Sequence, residues 1–203
     1  MSVSDTRAEL FGAGFEAISR YVDILASRGI DWGLMGPREG DRLWERHILN
    51  SVAAAPLFPS GASVVDVGSG AGLPGIPLAI LRPDLRVTLL ESLLRRVNFL
   101  ELAVAELALG DRVQVVRGRA EEHRLSYDAV TCRAVAPLPR LVEWCLPLVA
   151  PHGRLLALKG ASASGELADA ADLLRARKLR GEVHELAAPD RGETTWVIEV
   201  GRA

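Results

Sequence analysis

Cysteine, histidine and lysine are scarce in this sequence, and the first two scarcities exclude something. Two cysteines, Cys132 and Cys145, are too few for a disulfide framework or a thiolate metal cluster. They read as small buried hydrophobes. Four histidines, His47, His123, His152 and His184, are scattered without ligand spacing, so no metal site is expected. The basic residues are almost all Arg, with Lys159 and Lys178 the lysines. A net charge of −2 gives no broad basic field, so any affinity for RNA must come from a local basic face. Apolar stretches are broken by Gly, Pro or charge before bilayer length. Met1 to Leu10 carries acidic residues and no apolar signal core. The expectation is a cytoplasmic chain with no membrane contact and, lacking an obvious interface pattern, a monomer.

What the sequence does contain is enough for one domain, with 203 residues of which 49% are hydrophobic. Residues 1–60 read as a helical extension and 61–203 as the core. Leu10, Phe11, Phe15, Ile18, Val22 and Leu25 recur at helical spacing, with Ser4 as an N-cap and Gly29 as a stop. A glycine-containing loop spans Asp31–Gly40, and a second helix runs from Asp41 to Ala55. From Ser63 onward, strands and helices alternate. Strands are expected at 63–67, 85–91, 112–117, 127–132 and 154–159, with a final antiparallel pair at 182–186 and 194–200. Helices are expected at 73–81, 92–109, capped by Ser92, 138–148 and 166–177. This alternation predicts a Rossmann-like α/β fold, a seven-stranded, mostly parallel sheet with helices on both faces.

Asp66-Val67-Gly68-Ser69-Gly70-Ala71-Gly72-Leu73-Pro74-Gly75 is the most informative segment. Glycines after a first strand allow a tight turn and close approach of a ligand. Gly70, Gly72 and Gly75 fit a dinucleotide pattern. Asp66, Gly68, Gly70 and Gly72 fit a second pattern with different chemistry. A pyrophosphate on the following helix would sit badly beside the Asp66 carboxylate. S-adenosylmethionine carries a sulfonium and an ammonium instead, and Asp66 suits that tail directly or through water. Glu91, ending the second strand, can accept bonds from ribose hydroxyls under either pattern, or cap the next helix. Ala120 and Glu121 follow the third strand, where an adenine ring would lie; a solvated acidic turn is the alternative. Arg133 and Lys159 end the fourth and fifth strands and are positioning candidates at the ligand-binding edge of the sheet.

Read together, Glu45-Arg46-His47-Ile48-Leu49-Asn50-Ser51, the glycine loop extended by Ile76-Pro77-Leu78, and Glu91-Ser92-Leu93-Leu94-Arg95-Arg96-Val97-Asn98-Phe99-Leu100 resemble the RsmG (GidB) family. These are bacterial methyltransferases of small-subunit ribosomal RNA. Gly118-Arg119-Ala120-Glu121, Cys132-Arg133-Ala134-Val135-Ala136 and Leu158-Lys159-Gly160 extend the match to the fifth strand. The resemblance implies a class I S-adenosylmethionine methyltransferase acting on ring nitrogen 7 of one guanosine in 16S ribosomal RNA, as naked RNA or in the small subunit. S-adenosylhomocysteine would be the product. It also implies donor contacts at Gly68, Leu73, Ala120, Glu121 and Arg133, to which the residue chemistry adds Asp66, Gly70, Gly72 and Glu91. The sequence departs from the family in the loop before the Arg46-His47 helix and after Lys159-Gly160. Guanine nitrogen 7 has a lone pair and no proton, so no general base and no catalytic metal is expected. Arg42, Arg46, His47 and Arg140 are candidates for RNA contact. Three alternatives stay open: a methyltransferase with another RNA or small-molecule substrate, a nicotinamide-dependent oxidoreductase, and a non-catalytic ribosome-assembly factor.

Overall fold

The computed structural model describes residues 3–36, 39–188 and 194–202; Pro37 and Arg38 of the expected 31–40 loop lie outside these ranges. The strands are β1 (Ser63–Val67), β2 (Arg86–Glu91), β3 (Val113–Arg117), β4 (Tyr127–Arg133), β5 (Val149–Lys159), β6 (Leu179–Ala187) and β7 (Thr194–Arg202). They form one seven-stranded sheet in the order β3-β2-β1-β4-β5-β7-β6. β1 pairs in parallel with β2 and β4, β2 with β3, and β4 with β5. β7 runs antiparallel between β5 and β6. The expected mostly parallel sheet with an antiparallel terminal pair is therefore what forms. The chain proceeds outward from β1 to β3, then returns to β4 on the other side of β1. That reversal opens a crevice beyond the carboxyl ends of β1 and β4.

Period-two alternation assigns each strand's side chains to two cores. Val64, Leu89, Ala129, Leu156 and Val197 face one side, and Val65, Leu90, Val130, Leu155 and Ile198 the other. The first face is covered by α1 (Val3–Phe11), α2 (Phe15–Ile24), α3 (Asn50–Ala53), α4 (Gly75–Leu81) and α5 (Leu94–Glu106). The second is covered by α6 (Leu138–Cys145), α7 (Ala163–Asp169) and α8 (Ala171–Ala176). Both cysteines are free and buried in the second core. Among the described residues no helix is long and apolar enough to cross a membrane.

The N-terminal helices belong to the first core. Ile18, Tyr21 and Leu25 are fully buried there, each burial contributing roughly 1.5–3 kcal/mol relative to exposure. Arg82 fastens the segment before β1. It donates to the carbonyls of Ala55 (3.0 Å) and Phe58 (3.2 Å) and to Asp84 (2.7 Å). Asp84 also accepts from the Gly61 amide at 2.9 Å.

Three local expectations are corrected. The helix expected from Leu10 starts earlier, so Ser4 lies inside α1, and it breaks at Gly12–Gly14, where Gly12 has φ +48°. Gly29 does not stop α2, which continues through a π-helical turn, Leu25–Gly29; the reversal falls at Gly33, φ +66°. Ser92 is not the cap of α5. The N-cap position is Leu93, with no side-chain cap bond, and the Glu91 carboxylate instead holds the approach to the helix, accepting from the amides of Ser92 (2.9 Å) and Leu93 (3.0 Å).

Candidate functional site

The loop leaving β1 is held from three directions. The Gly68 amide donates to the Leu90 carbonyl at 2.8 Å, which joins the loop to β2. Tyr21 on α2 donates its hydroxyl to the Ala71 carbonyl at 2.6 Å. Glu91 accepts from the Gly70 amide at 3.0 Å. Gly68, Gly70 and Gly72 all adopt positive φ (+69°, +58° and +95°). At Gly72 the requirement is also steric, because a Cβ would lie 2.5 Å from Ile76 Cδ1 and 3.0 Å from the Tyr21 hydroxyl.

Asp66 sits beneath this loop, fully buried. Its Oδ2 accepts from the Gly75 amide at 3.0 Å, at the start of α4. Its Oδ1 has no hydrogen-bond partner. Burial raises the carboxyl from its usual 3.8 to about 7, against the lowering effects of the Gly75 bond and the Arg133 cation. The Gly75 amide, which the dinucleotide pattern would aim at a pyrophosphate, is thus taken by a carboxyl group.

Glu91, 3% exposed, accepts three backbone bonds, from Gly70, Ser92 and Leu93. Arg96 lies 3.6 Å from its Oε2. A carboxylate offers about four acceptor positions, so one further hydroxyl can be accommodated without disturbing these three bonds.

Gly68, Ser69, Gly70, Ala71 and Leu73 of the glycine loop, Glu91, Arg96 and Arg133 line a cavity of about 540 Å³, together with Met35, Glu39 and His47; Asp66 and Gly72, expected at the donor, do not reach its wall. A narrower space of about 210 Å³ adjoins it through Gly68, Ser92 and Val135, and is bounded by Ala120, Glu121 and Trp144. The flat elongated shape of a nucleoside suits this pair of spaces. A larger open groove of about 680 Å³ lies between α5 and β3, at the amino ends of β2 and β3. It contains none of the expected site residues and lies away from the ligand-binding edge of the sheet.

Arg133 ends β4 and is part-buried. Its Nη2 donates to His47 Nδ1 at 2.7 Å, and its Nη1 to the Arg46 carbonyl at 3.4 Å. Because a guanidinium can only donate, His47 Nδ1 is the acceptor, and the proton sits on Nε2. That nitrogen lies 2.7 Å from Glu39 Oε2, and Glu39 Oε1 pairs with Arg46 at 3.2 Å. Burial, then the Arg133 cation, lower the imidazole from its usual value, so His47 is neutral near pH 7. His47 lies in a π-helical stretch, Leu43–Leu49, a geometry frequent at functional sites. Directly after Arg133, Ala134 has φ +54°, a left-handed conformation costly for a residue with a Cβ.

The remaining expected residues are placed as follows. Leu73 and Ala120 are buried at the cavity walls, and Glu121 is exposed at the narrow end. Lys159 donates to the Ala136 carbonyl (2.7 Å) and Glu166 (2.6 Å). Arg140 is exposed, its guanidinium 5.8 Å from the Trp144 ring. Arg42 is exposed on the turn Gly40–Arg42. Tyr21, Glu39, Arg96, Trp144 and Glu166 were not anticipated. Tyr21 and Trp144 lie on apolar helix faces that conceal a polar or stacking role. Arg96 lay within view, one turn beyond Glu91. Among the described residues no cluster of three or more His, Cys, Asp or Glu could hold a metal ion.

Comparison with known proteins agrees with this geometry. A family model described as rRNA small subunit methyltransferase G matches residues 15–191. The ribosomal RNA small subunit methyltransferase G of Salinispora arenicola is 52% identical over 204 residues, covering 95% of this chain and 84% of the relative. That of Thermobifida fusca is 52% identical over 200 residues, covering 97% and 84%. Among solved structures, the S-adenosylmethionine-dependent methyltransferase SibL superposes with TM-score 0.63 at 21% identity, over 81% of this chain and 57% of that one. This last likeness is one of fold.

Proposed function

The chain belongs to the ribosomal RNA small subunit methyltransferase G family, and from that premise we propose that it transfers the methyl group of S-adenosylmethionine to ring nitrogen 7 of a guanosine in 16S ribosomal RNA. The observation that carries the donor assignment is the cavity formed by the glycine loop, Glu91 and Arg133 at the carboxyl ends of β1, β2 and β4.

The residues present fit this donor. Gly68 and Gly70 leave room for close approach. Glu91 has one acceptor position left for a ribose hydroxyl. Ala120 and Trp144 can bracket an adenine ring, with Glu121 at its edge. Arg133 supplies a cation for the amino-acid carboxylate. Asp66, fully buried and lining neither space, supports the site from beneath by holding the Gly75 amide. When bound, S-adenosylmethionine supplies an electrophilic methyl group on a sulfonium.

The chain's own contribution to the reaction is placement. Guanine nitrogen 7 has a lone pair and no proton, so its attack leaves nothing for a base to remove. The site accordingly needs to align the two reactants and exclude water. His47, neutral and bonded to Arg133, is a positioning residue in this scheme. Arg42, Arg46 and Arg140 are exposed and suit phosphate contacts. The working form is a cytoplasmic monomer. S-adenosylmethionine with a labelled methyl group, incubated with small subunits from a strain lacking the activity, tests the reading. Reduction and aniline cleavage should locate one 7-methylguanosine in 16S RNA. Donor binding without RNA labelling would overturn the substrate assignment.

A further inference from the structure

Beyond the ridge formed by Arg133, Ala134 and Val135 lies a second chamber, of about 570 Å³, at the carboxyl ends of β4 and β5. The three ridge residues line both chambers, so an occupant of the second would meet an occupant of the first across this ridge. Its polar wall is built from Asn50, Lys159 and Glu166. Glu166 is held firmly on one side. Its Oε2 accepts from Lys159 Nζ at 2.6 Å and from the Leu138 amide at 3.1 Å. Its Oε1 meets Ser162 Oγ at 3.3 Å, long for a hydroxyl donor, and so keeps acceptor capacity. Lys159, 10% exposed, is already committed to Glu166 and the Ala136 carbonyl. A phosphate is therefore poorly matched to this wall, because a carboxylate would face it.

A group with two adjacent N–H donors that converge on this one free oxygen, Oε1, is well matched. Among nucleobases only guanine presents that pair, N1–H and the exocyclic amine, on its Watson–Crick edge. Adenine and cytosine each place a ring lone pair there, which a carboxylate repels. On guanine, nitrogen 7 lies on the side of the ring away from that edge. Binding the Watson–Crick edge to Glu166 thus turns nitrogen 7 away from this wall. We propose that Glu166, held in place by Lys159, reads the Watson–Crick edge of the acceptor guanine in this chamber and so selects guanine for methylation. The inference rests on the reading of the chain as a guanosine-N7 methyltransferase.

Glu166→Gln tests it. The glutamine oxygen can keep the Lys159 and Leu138 bonds while its amide group opposes the guanine donors. Donor affinity by calorimetry and Tm should stay near wild type. Methyl transfer to small subunits lacking the modification should fall in kcat/KM by about tenfold to a hundredfold. In a second arm, subunits are assembled on RNA with inosine, which lacks the exocyclic amine, at the methylated position. Wild type should lose about tenfold on inosine, and Glu166→Gln should lose nothing further. Wild-type efficiency in Glu166→Gln, or equal use of inosine and guanosine by the wild-type protein, would overturn the proposal. If the wild-type protein bound no donor or labelled no guanosine, the underlying reading would fail and this proposal with it.

Discussion

Arg133 Nη2 donates to His47 Nδ1 at 2.7 Å, and with the longer bond from Nη1 to the Arg46 carbonyl it joins the end of β4 to the helical stretch Leu43–Leu49 beside the donor cavity. It fixes the imidazole as the Nε2–H tautomer and, through His47, ties the guanidinium to the Glu39 carboxylate. The bond exists only while His47 is neutral.

His47→Ala should therefore weaken donor binding by about tenfold, the scale of one charge-assisted hydrogen bond, with His47→Gln recovering part of it. The pH dependence follows from the same bond. The folded imidazole lies below its usual 6.5, so its contribution is complete above about 6.5 and is lost as pH falls through the lower folded value. Calorimetry from pH 8 down to pH 5 should show a limb of falling affinity that is absent in His47→Ala.

Asp66 predicts the opposite trend in stability. Its folded carboxyl, near 7, lies above the usual 3.8. Between those values the native state holds a proton that the unfolded chain has released. This carboxyl thus withdraws stability as pH rises from about 4 to about 7, by at most about 1.4 kcal/mol per pH unit. Asp66→Asn removes the titration. Measured by denaturant titration, the unfolding free energy of Asp66→Asn should gain on that of wild type as pH rises through this window. Above about pH 7 the gap should stop widening. A difference independent of pH would contradict the assignment.

Glu91→Ala would leave three backbone amides, of Gly70, Ser92 and Leu93, without their acceptor. With the freed amides partly rehydrated, a loss of about 2–4 kcal/mol is expected, together with at least tenfold weaker donor binding. Glu91→Gln should keep most of the stability. Thermal unfolding and calorimetry on both variants separate the clamp from ligand contact.

Gly72→Ala combines a left-handed φ with contacts that are too close, at Ile76 and Tyr21. It should lower stability by about 1–3 kcal/mol and displace the loop from Tyr21. Gly110→Ala, where an added Cβ meets nothing within 4 Å, is the control and should stay within about 0.5 kcal/mol of wild type.

The sheet was legible because strand composition and alternation with helices are local signals. Ser63–Val67 and its glycine loop announced both the first strand and the ligand edge. The helix boundaries were less so. Gly12 and Gly14 broke a pattern that apolar spacing alone ran through, and the N-cap position that local spacing gave to Ser92 falls at Leu93. The partners of Arg133 were out of reach, since His47 lies 86 positions away and only the sheet's topology brings them together. Tyr21 illustrates the same limit. Its ring is ordinary core, and its hydroxyl becomes informative only once Ala71 is folded against it.

Calorimetric titration of the full chain with S-adenosylmethionine reads out whether the cavity around Arg133 and Glu91 holds this donor. One site with micromolar affinity is expected near pH 7.5, weakened at least tenfold in Arg133→Ala. No binding to the wild-type protein, or unchanged affinity in Arg133→Ala, would contradict it.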